Sequence, residues 1–445
     1  MSADAAEIGS PAAEAELLLA ALIRFNTVNP PGNERAAQEF LAAYLTEAGF
    51  ECELLGAEPG RPNLLARLRA GEGSPPGPTL CYLGHVDTVL ADPADWSRDP
   101  WSGEVIDGYL WGRGALDMKS QVAAEIAAAA SLARSGWRPQ RGELLIVAVV
   151  DEETGGSLGA EWITQNHPEK VRCDMLLNEG GGAFFDYDGR RRYGVCCAEK
   201  GVFRFIVSTD GVAGHASMPG MGENALLKMA PVLERLAARQ PSYCATAEPL
   251  AFLRGIGEDD GDPEAAIERL RAADPRLATM FEPMLGVTFT PTRISASEKI
   301  NVIPARAELK VDCRVPPGLG EHEVREGIAE VLGDEAGAAW RIDFTEKVVG
   351  NRSPLESQLM DTIATWIGEQ DPGAQVVPVV LPGFTDSRHF RLAFPDCVAY
   401  GFFPQRHQSL LEGAPLIHGA DERIDVRDLA FATELFRDLA VRLLG

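Results

Sequence analysis

The sequence contains no apolar run long enough to cross a bilayer, since charged residues and glycines interrupt every hydrophobic stretch. A membrane-embedded protein is therefore not expected. It also contains no CxxC pair. Its 8 cysteines are scattered, and the one close pair, Cys196–Cys197, is adjacent in sequence. That spacing argues against a disulfide framework or a thiolate zinc site and fits a reducing cytoplasm. Basic residues are in deficit, with 41 Lys and Arg against 66 Asp and Glu and a formal charge of −25. Such a surface repels phosphate backbones, so nucleic acid is not an expected partner, and the acidity reads as solvated surface. The N-terminal stretch MSADAAEIGSPAAEAELLLAALIRF has no basic segment ahead of its apolar part and carries acidic residues within it. It reads as something other than a signal peptide.

What is present is the profile of a globular protein, 45% hydrophobic and 24% charged, with room in 445 residues for two domains. Amphipathic helices are expected over residues 12–25 and 34–49. Short apolar runs at 63–68, 79–89, 143–150 and 174–177 read as buried strands, with an Ala-rich helix, QVAAEIAAAASLARSG, between the second and third. Buried strands alternating with helices imply an α/β domain with a mostly parallel sheet. Near Lys200 the pattern changes. Strand spacing over 202–209, helix over 223–238, strands over 284–294 and 303–315, helix over 321–332 and strand over 340–347 give a βαββαβ order, the signature of a ferredoxin-like unit. An acidic segment with helical spacing, 241–282, interrupts it. From about 349 the α/β pattern resumes, with a strand at 397–402 and a closing helix at 428–443. The expected organisation is a discontinuous domain, 1–198 and 349–445, with a small α+β domain, 199–348, inserted into it.

Five stretches carry histidine or acidic residues at or near strand ends, where open α/β sheets place their sites. LGHVDT holds His85 and Asp87, two apart at the end of an apolar run and so directed to one face. A ligating imidazole commonly donates its other N–H to a carboxylate, but a surface His–Asp pair fits these residues equally. In GRGALDMKS, Asp117 is either a ligand or the cap of the Ala-rich helix. VVDEETGG puts three carboxylates in succession, which a nearby cation or a solvated loop would tolerate. LLNEGGG places Glu179 after a buried strand, and PLIHGADE places His418 in a loop.

Together, the motifs GHVD, GRGALDMK, DEETGG and GHASMP resemble those of the aminoacylase, acetylornithine deacetylase, succinyl-diaminopimelate desuccinylase and glutamate carboxypeptidase family of dinuclear zinc hydrolases. The resemblance runs over nearly the whole chain. It implies two Zn²⁺ per chain, with Co²⁺ or Mn²⁺ able to substitute, since nitrogen and oxygen ligands suit these ions. His85 and Glu179 would hold one metal and Glu153 and His418 the other, with Asp117 bridging and Asp87 orienting His85. Glu152 would be the general base. His215, in GVAGHASMP, would reach from a partner subunit to stabilise the oxyanion, which implies a homodimer built through the inserted domain. The resemblance also implies a cis peptide after Asp117. Asn301 in KINVIPA, Arg314 in VDCRV and Thr385 in PGFTDS match substrate-contacting positions, and a guanidinium suits a substrate carboxylate. Phe384 stands where relatives carry a glycine. His167, His322, His389 and His407 match no ligand position.

The implied activity is hydrolysis of an amide bond in an N-acyl amino acid or related small carboxylate. A dipeptidase or carboxypeptidase of the same family is the alternative; Glu179, where peptidase relatives more often carry Asp, favours deacylation. A two-metal phosphoesterase lacks a basic cluster to receive phosphate. A dimeric binding protein without activity would not need the ligand set together with Glu152.

Overall fold

In the computed structural model, which describes residues 9–244, 246–333 and 339–445, the chain divides into two compact units. The first eight residues of the expected catalytic segment lie outside the described residues. One unit comprises the chain up to Cys197 with Ser353–Val379 and Phe384–Gly445. The other comprises Ala198–Arg352 with Val380–Gly383. The return of Val380–Gly383 to the second unit has no sequence counterpart in hydrophobic period or turn composition.

The first unit is built on a mixed sheet whose centre is parallel. Glu143–Val149, Thr79–His85, Met175–Asn178 and Val398–Gly401 lie side by side in that order and all run the same way. Their residues are almost wholly buried, as expected of strands covered on both faces. Antiparallel strands flank this centre. Asn63–Arg69 pairs with Glu143–Val149, Glu51–Leu55 pairs with Asn63–Arg69, and Arg190–Glu199 pairs with Val398–Gly401 at the other side. The run at 63–68 is thus a strand, but an antiparallel one. A buried apolar strand carries no mark of its direction.

The Ala-rich helix, Lys119–Arg134, is buried along nearly its whole length and packs against helices Pro11–Arg24 and Val426–Leu444. Alanine suits it on two counts: it has the highest helix propensity, and its small side chain lets three helix axes approach closely. The start of the helix is pinned by Lys119, whose buried Nζ donates to the carbonyls of Leu22 and Phe25, each at 2.9 Å. Those carbonyls close helix Pro11–Arg24, where a cation is favoured.

The second unit has the expected ferredoxin-like sheet. Its strands lie in the order Trp340–Phe344, Phe205–Asp210, Arg306–Val315, Thr288–Ser295, all antiparallel. Alternate residues Phe205 and Val207 with Leu309, Val311 and Cys313 share a core with helices Ala225–Ala238 and Glu321–Leu332. The acidic 241–282 segment forms three helices, Ala247–Ile256, Pro263–Ala273 and Pro275–Phe281, with buried Phe252, Ile267, Leu270 and Phe281 among them. Among the described residues no helix is long and apolar enough to cross a membrane.

Candidate metal centre

Three of the four parallel strands end in candidate ligands, all at the carboxyl edge of the sheet. Thr79–His85 ends on His85, Glu143–Val149 runs into Asp151, Glu152 and Glu153, and Met175–Asn178 runs into Glu179. Asp117 comes from the turn before helix Lys119–Arg134, and the Asp117–Met118 peptide is cis, as the resemblance implies. His418 comes from a loop, with φ of 60°. Close approach places Glu179: a Cβ at Gly401, on the neighbouring strand, would lie 1.9 Å from the Glu179 carbonyl oxygen, so no side chain fits there.

These residues form two groups that share Asp117: His85, Asp117 and Glu179, and Asp117, Glu153 and His418. The two Asp117 oxygens diverge. Oδ1 is 3.1 Å from His85 Nε2 and Oδ2 is 3.1 Å from His418 Nε2. Glu179 Oε1 lies 3.7 Å from His85 Nε2, and Glu153 Oε2 lies 3.3 Å from His418 Nε2.

Whether this donor set fits a metal can be tested on His85. Its Nδ1 faces the Asp87 carbonyl oxygen at 3.0 Å. A carbonyl only accepts, so Nδ1 carries the hydrogen, and Nε2 of the neutral ring presents a lone pair to two carboxylates. Lone pair and carboxylate oxygens repel unless a cation lies between them. The set therefore fits a pair of divalent ions bound by nitrogen and oxygen.

Without such ions, protons take their place. Burial opposes a charge on His85, but hydrogen bonds it donates to Asp117, Asp87 and Glu179 outweigh it and raise its pKa well above the ordinary value. Hydrogen bonds to Asp117 and then Glu153 raise His418 to about 10. Burial pushes Asp117 up, but the two histidines more than reverse this and hold it well below the usual range. Burial, then the Asp117 charge, raises Glu179 to about 7. Burial and then Glu179 raise Glu152 well above an ordinary carboxylate.

A pH dependence follows for the metal-free chain. His418 is raised from 6.5 to about 10, so its contribution to stability is complete below the unfolded value and is lost as pH rises through about 10. Glu179 acts in the same direction, because ionising it from 4.5 through about 7 costs more in the folded chain. The melting temperature in chelator is expected to fall between about pH 5 and about pH 7; above that, Lys119 and Lys200, which burial lowers to about 7, act in the opposite direction to His418. Added divalent metal should restore more stability at the alkaline end, where protons no longer compete. Melting curves with chelator and with zinc across that range check this. A metal-free melting temperature that rises with pH over that range would contradict it.

Asp87 departs from the sequence reading in its geometry. The strand ends at His85, and the Asp87 carboxylate is 3.6 Å from His85 Nδ1, so the closer contact to the ring is the main-chain oxygen. The carboxylate accepts instead from the backbone N–H groups of Glu152 and Glu153, both at 3.2 Å, and from Asn29 Nδ2 at 2.9 Å. It thus fixes the turn that bears Glu152 and Glu153. Nor are the three carboxylates of DEE left facing one another. Asp151 turns away and accepts from Arg61, Asn29, Thr154 and Ser157. Arg61 in turn forks onto buried Glu34 at 2.5 and 2.9 Å. No hydrophobic period or motif marks Glu34, Asn29 or Arg61 in the sequence.

Thr385, in the first unit, is buried, and its Oγ1 accepts from Asn178 Nδ2 and from the Ser387 N–H, each at 3.2 Å. It therefore ties its turn to the residue before Glu179. Phe384, the departure from glycine, lies under the Arg388 guanidinium.

His215, Asn301 and Arg314 belong to the second unit. His215 and Asn301 come together: strand Gly214–His215 pairs with Val302–Ile303, and the Ala216 N–H donates to the Asn301 carbonyl at 3.1 Å. The Ser217 N–H donates to His215 Nδ1 at 3.2 Å, so in the neutral ring the hydrogen resides on exposed Nε2. Arg314 is held by Asp312, with Nε 2.8 Å from Oδ1, and its Nη1 donates to the Pro382 carbonyl at 3.3 Å. Arg204 shares the same aspartate at 2.9 Å.

A sheet edge that gathers two imidazoles, three carboxylates and a further glutamate around paired cation sites defines a metal-dependent hydrolase of amide bonds. Residues 81–442 match the model of Peptidase family M20/M25/M40, and the chain belongs to that family. Over its full length it is similar to a succinyl-diaminopimelate desuccinylase of Xanthobacter autotrophicus, 26% identical over 433 residues, covering 96% of this chain and 98% of that one. Among solved structures it is similar in fold to an M20 family metallo-carboxypeptidase from Sulfolobus solfataricus (TM-score 0.72, 18% identity, 97% and 99% of the two chains). It is likewise similar to human carnosine dipeptidase 1 (TM-score 0.67, 17% identity, 97% and 96%).

Proposed function

We propose that this enzyme hydrolyses the amide bond of an N-acyl amino acid or a related small substrate bearing a free carboxylate. The observation that carries the reading is the pair of ligand groups sharing Asp117, with Glu152 beside them. His85 and Glu179 would hold one Zn²⁺ and Glu153 and His418 the other, with Asp117 shared between them; Co²⁺ or Mn²⁺ could substitute. When bound, the two ions supply Lewis acidity, polarising the scissile carbonyl and making a water acidic. Glu152 takes the proton of the attacking water and passes it to the nitrogen of the leaving amine. Its raised proton affinity is the direction a base working near neutral pH requires.

The inserted unit is assigned to substrate recognition and dimerisation. Val212, Met218, Met221, Leu227 and Ile300 are exposed apolar residues within it, and helix Ala225–Ala238 is apolar on more than its buried face. A closed two-fold homodimer would cover such a surface. Exposed His215, with its hydrogen on Nε2, has the donor a developing oxyanion needs, and it serves the site of the partner subunit. Arg314 and Asn301 receive the substrate carboxylate, with Asp312 keeping the guanidinium in place. Thr385 contributes through the turn it anchors. The 8 scattered cysteines, without a CxxC pair, support a reducing, cytoplasmic setting.

Full-length similarity to a desuccinylase supports the deacylase reading. The carboxypeptidase and dipeptidase folds keep peptide hydrolysis as its competitor. A panel of N-acetyl and N-succinyl amino acids and dipeptides, assayed before and after chelation, separates them. Turnover of the acyl amino acids, abolished by chelator and restored by zinc, is expected. Methyl esterification of the substrate carboxylate should cost about 2–5 kcal/mol in transition-state binding. Hydrolysis confined to dipeptides would make the enzyme a peptidase, and full activity in the metal-free protein would end the proposal.

A further inference from the structure

The loops bearing Asp117 and His418 belong to no helix or strand; the ladder of Tyr109–Trp111 with Arg423–Asp425 joins their bases, but no ladder reaches the two side chains' own residues. A buried pair, Arg113 and Glu422, joins them. Glu422 is fully buried, and each of its oxygens accepts twice. Oε1 takes the N–H groups of Leu116 at 2.6 Å and Asp117 at 3.0 Å, while Oε2 takes the Gly114 N–H at 3.0 Å and Arg113 Nη1 at 2.6 Å. The Glu422 carbonyl also accepts from Gly112 N at 3.0 Å. The Asp117 loop is thereby folded around one carboxylate that lies four residues after His418. Arg113 extends the link, with Nη2 facing the carbonyls of Leu90 at 3.2 Å and His418 at 3.4 Å, and its guanidinium lies over the Trp96 ring.

We infer that Arg113 and Glu422 are positioning residues that set the distance between Asp117 and His418. The inference rests on the reading of those two residues as metal ligands. An ion pair is a costly way to fill a core, and apolar side chains of similar volume often do as well for stability. Here, however, the carboxylate gathers three backbone N–H groups of a loop that has no ladder to supply acceptors. The Asp117 N–H is itself one of them, so the backbone that carries the bridging side chain cannot shift without straining that bond. His85 ends a strand and Glu179 directly follows one, so neither is placed by the link. The site of His418 and Glu153 is, because one of its ligands and the bridge both stand on the joined loops.

The test is a titration of the metal-free protein with zinc against a chromophoric chelator, for the wild type, Glu422→Gln and Arg113→Lys. In Glu422→Gln an amide NH₂ replaces one acceptor and faces N–H donors. In Arg113→Lys the charge remains but the fork onto two partners is lost. Outer residues that orient ligands are worth roughly 10–100-fold in metal affinity. One of two equivalents is expected to weaken by that factor in each variant, and the other, which shares Asp117 but not His418, by less. Circular dichroism and melting of the metal-free forms show whether the fold persists. Lower melting temperatures with both affinities unchanged would make the pair merely structural and overturn the inference. Should Glu422→Gln fail to fold, Arg113→Lys decides by the same reading. If the wild type itself does not bind two ions, the ligand assignment fails, and this inference fails with it.

Discussion

Replacing Glu152 by alanine is expected to lower kcat by about 10²–10⁴-fold while both metals stay bound, because the side chain moves protons and is no ligand. Replacing its neighbour Glu153 is expected to do the reverse in order of cause, emptying one metal site and losing activity as a consequence. The structure gives the two residues different surroundings. Glu153 faces His418 Nε2 and accepts from the Val89 N–H at 3.1 Å, so both its oxygens are engaged. Glu152 sits among Glu179, Asp386 and Asp117, and burial first, then these charges, push its proton affinity up. Metal analysis beside kinetics on both variants decides the matter. A Glu152→Ala protein that loses metal while Glu153→Ala keeps it would exchange the two assignments.

Mixing two inactive variants should bring activity back. His215→Ala should cost about 10²–10³-fold in kcat if the ring donates to the oxyanion, and Glu152→Ala removes the base. In a mixed dimer the Glu152→Ala chain lends its intact His215 to a partner whose metal site and base are whole, restoring one site of two. Under random exchange half of the dimers are mixed, so recovery should approach about a quarter of wild-type activity. Subunit exchange is followed independently by differently labelled chains. Demonstrated exchange without recovered activity would place His215 in its own chain's site or outside catalysis.

The sequence marks the ligands more clearly than it marks what supports them. His85, Glu152, Glu153 and Glu179 stand at the ends of apolar runs, where hydrophobic period and chemistry coincide, and Asp117 precedes a long helix. Their supports have no such context. Glu34 and Arg61 meet across 27 positions, Asn29 meets Asp87 across 58, and Glu422 meets Leu116 across 306. Pairings of that kind are fixed by tertiary structure alone. Element boundaries shifted for a related reason. The run at 79–89 continues apolar past His85, but the chain turns there so that the Val86 N–H and the Thr88 N–H find other carbonyls. The direction of Asn63–Arg69 was equally invisible, since a fully buried strand reads the same both ways.

The position of strand Val398–Gly401 bears on how the enzyme comes into being. It lies between Met175–Asn178 and Arg190–Glu199 in the middle of the sheet, yet it leaves the ribosome long after either of them. While it is missing, Met175–Asn178 and Arg190–Glu199 have no strand between them, and Glu179 lacks the Gly401 backbone that packs against it. Such late, distant pairing slows folding and leaves bare strand edges exposed to other nascent chains. His418 follows the strand, so the candidate group of Asp117, Glu153 and His418 stays open until this late segment has been made.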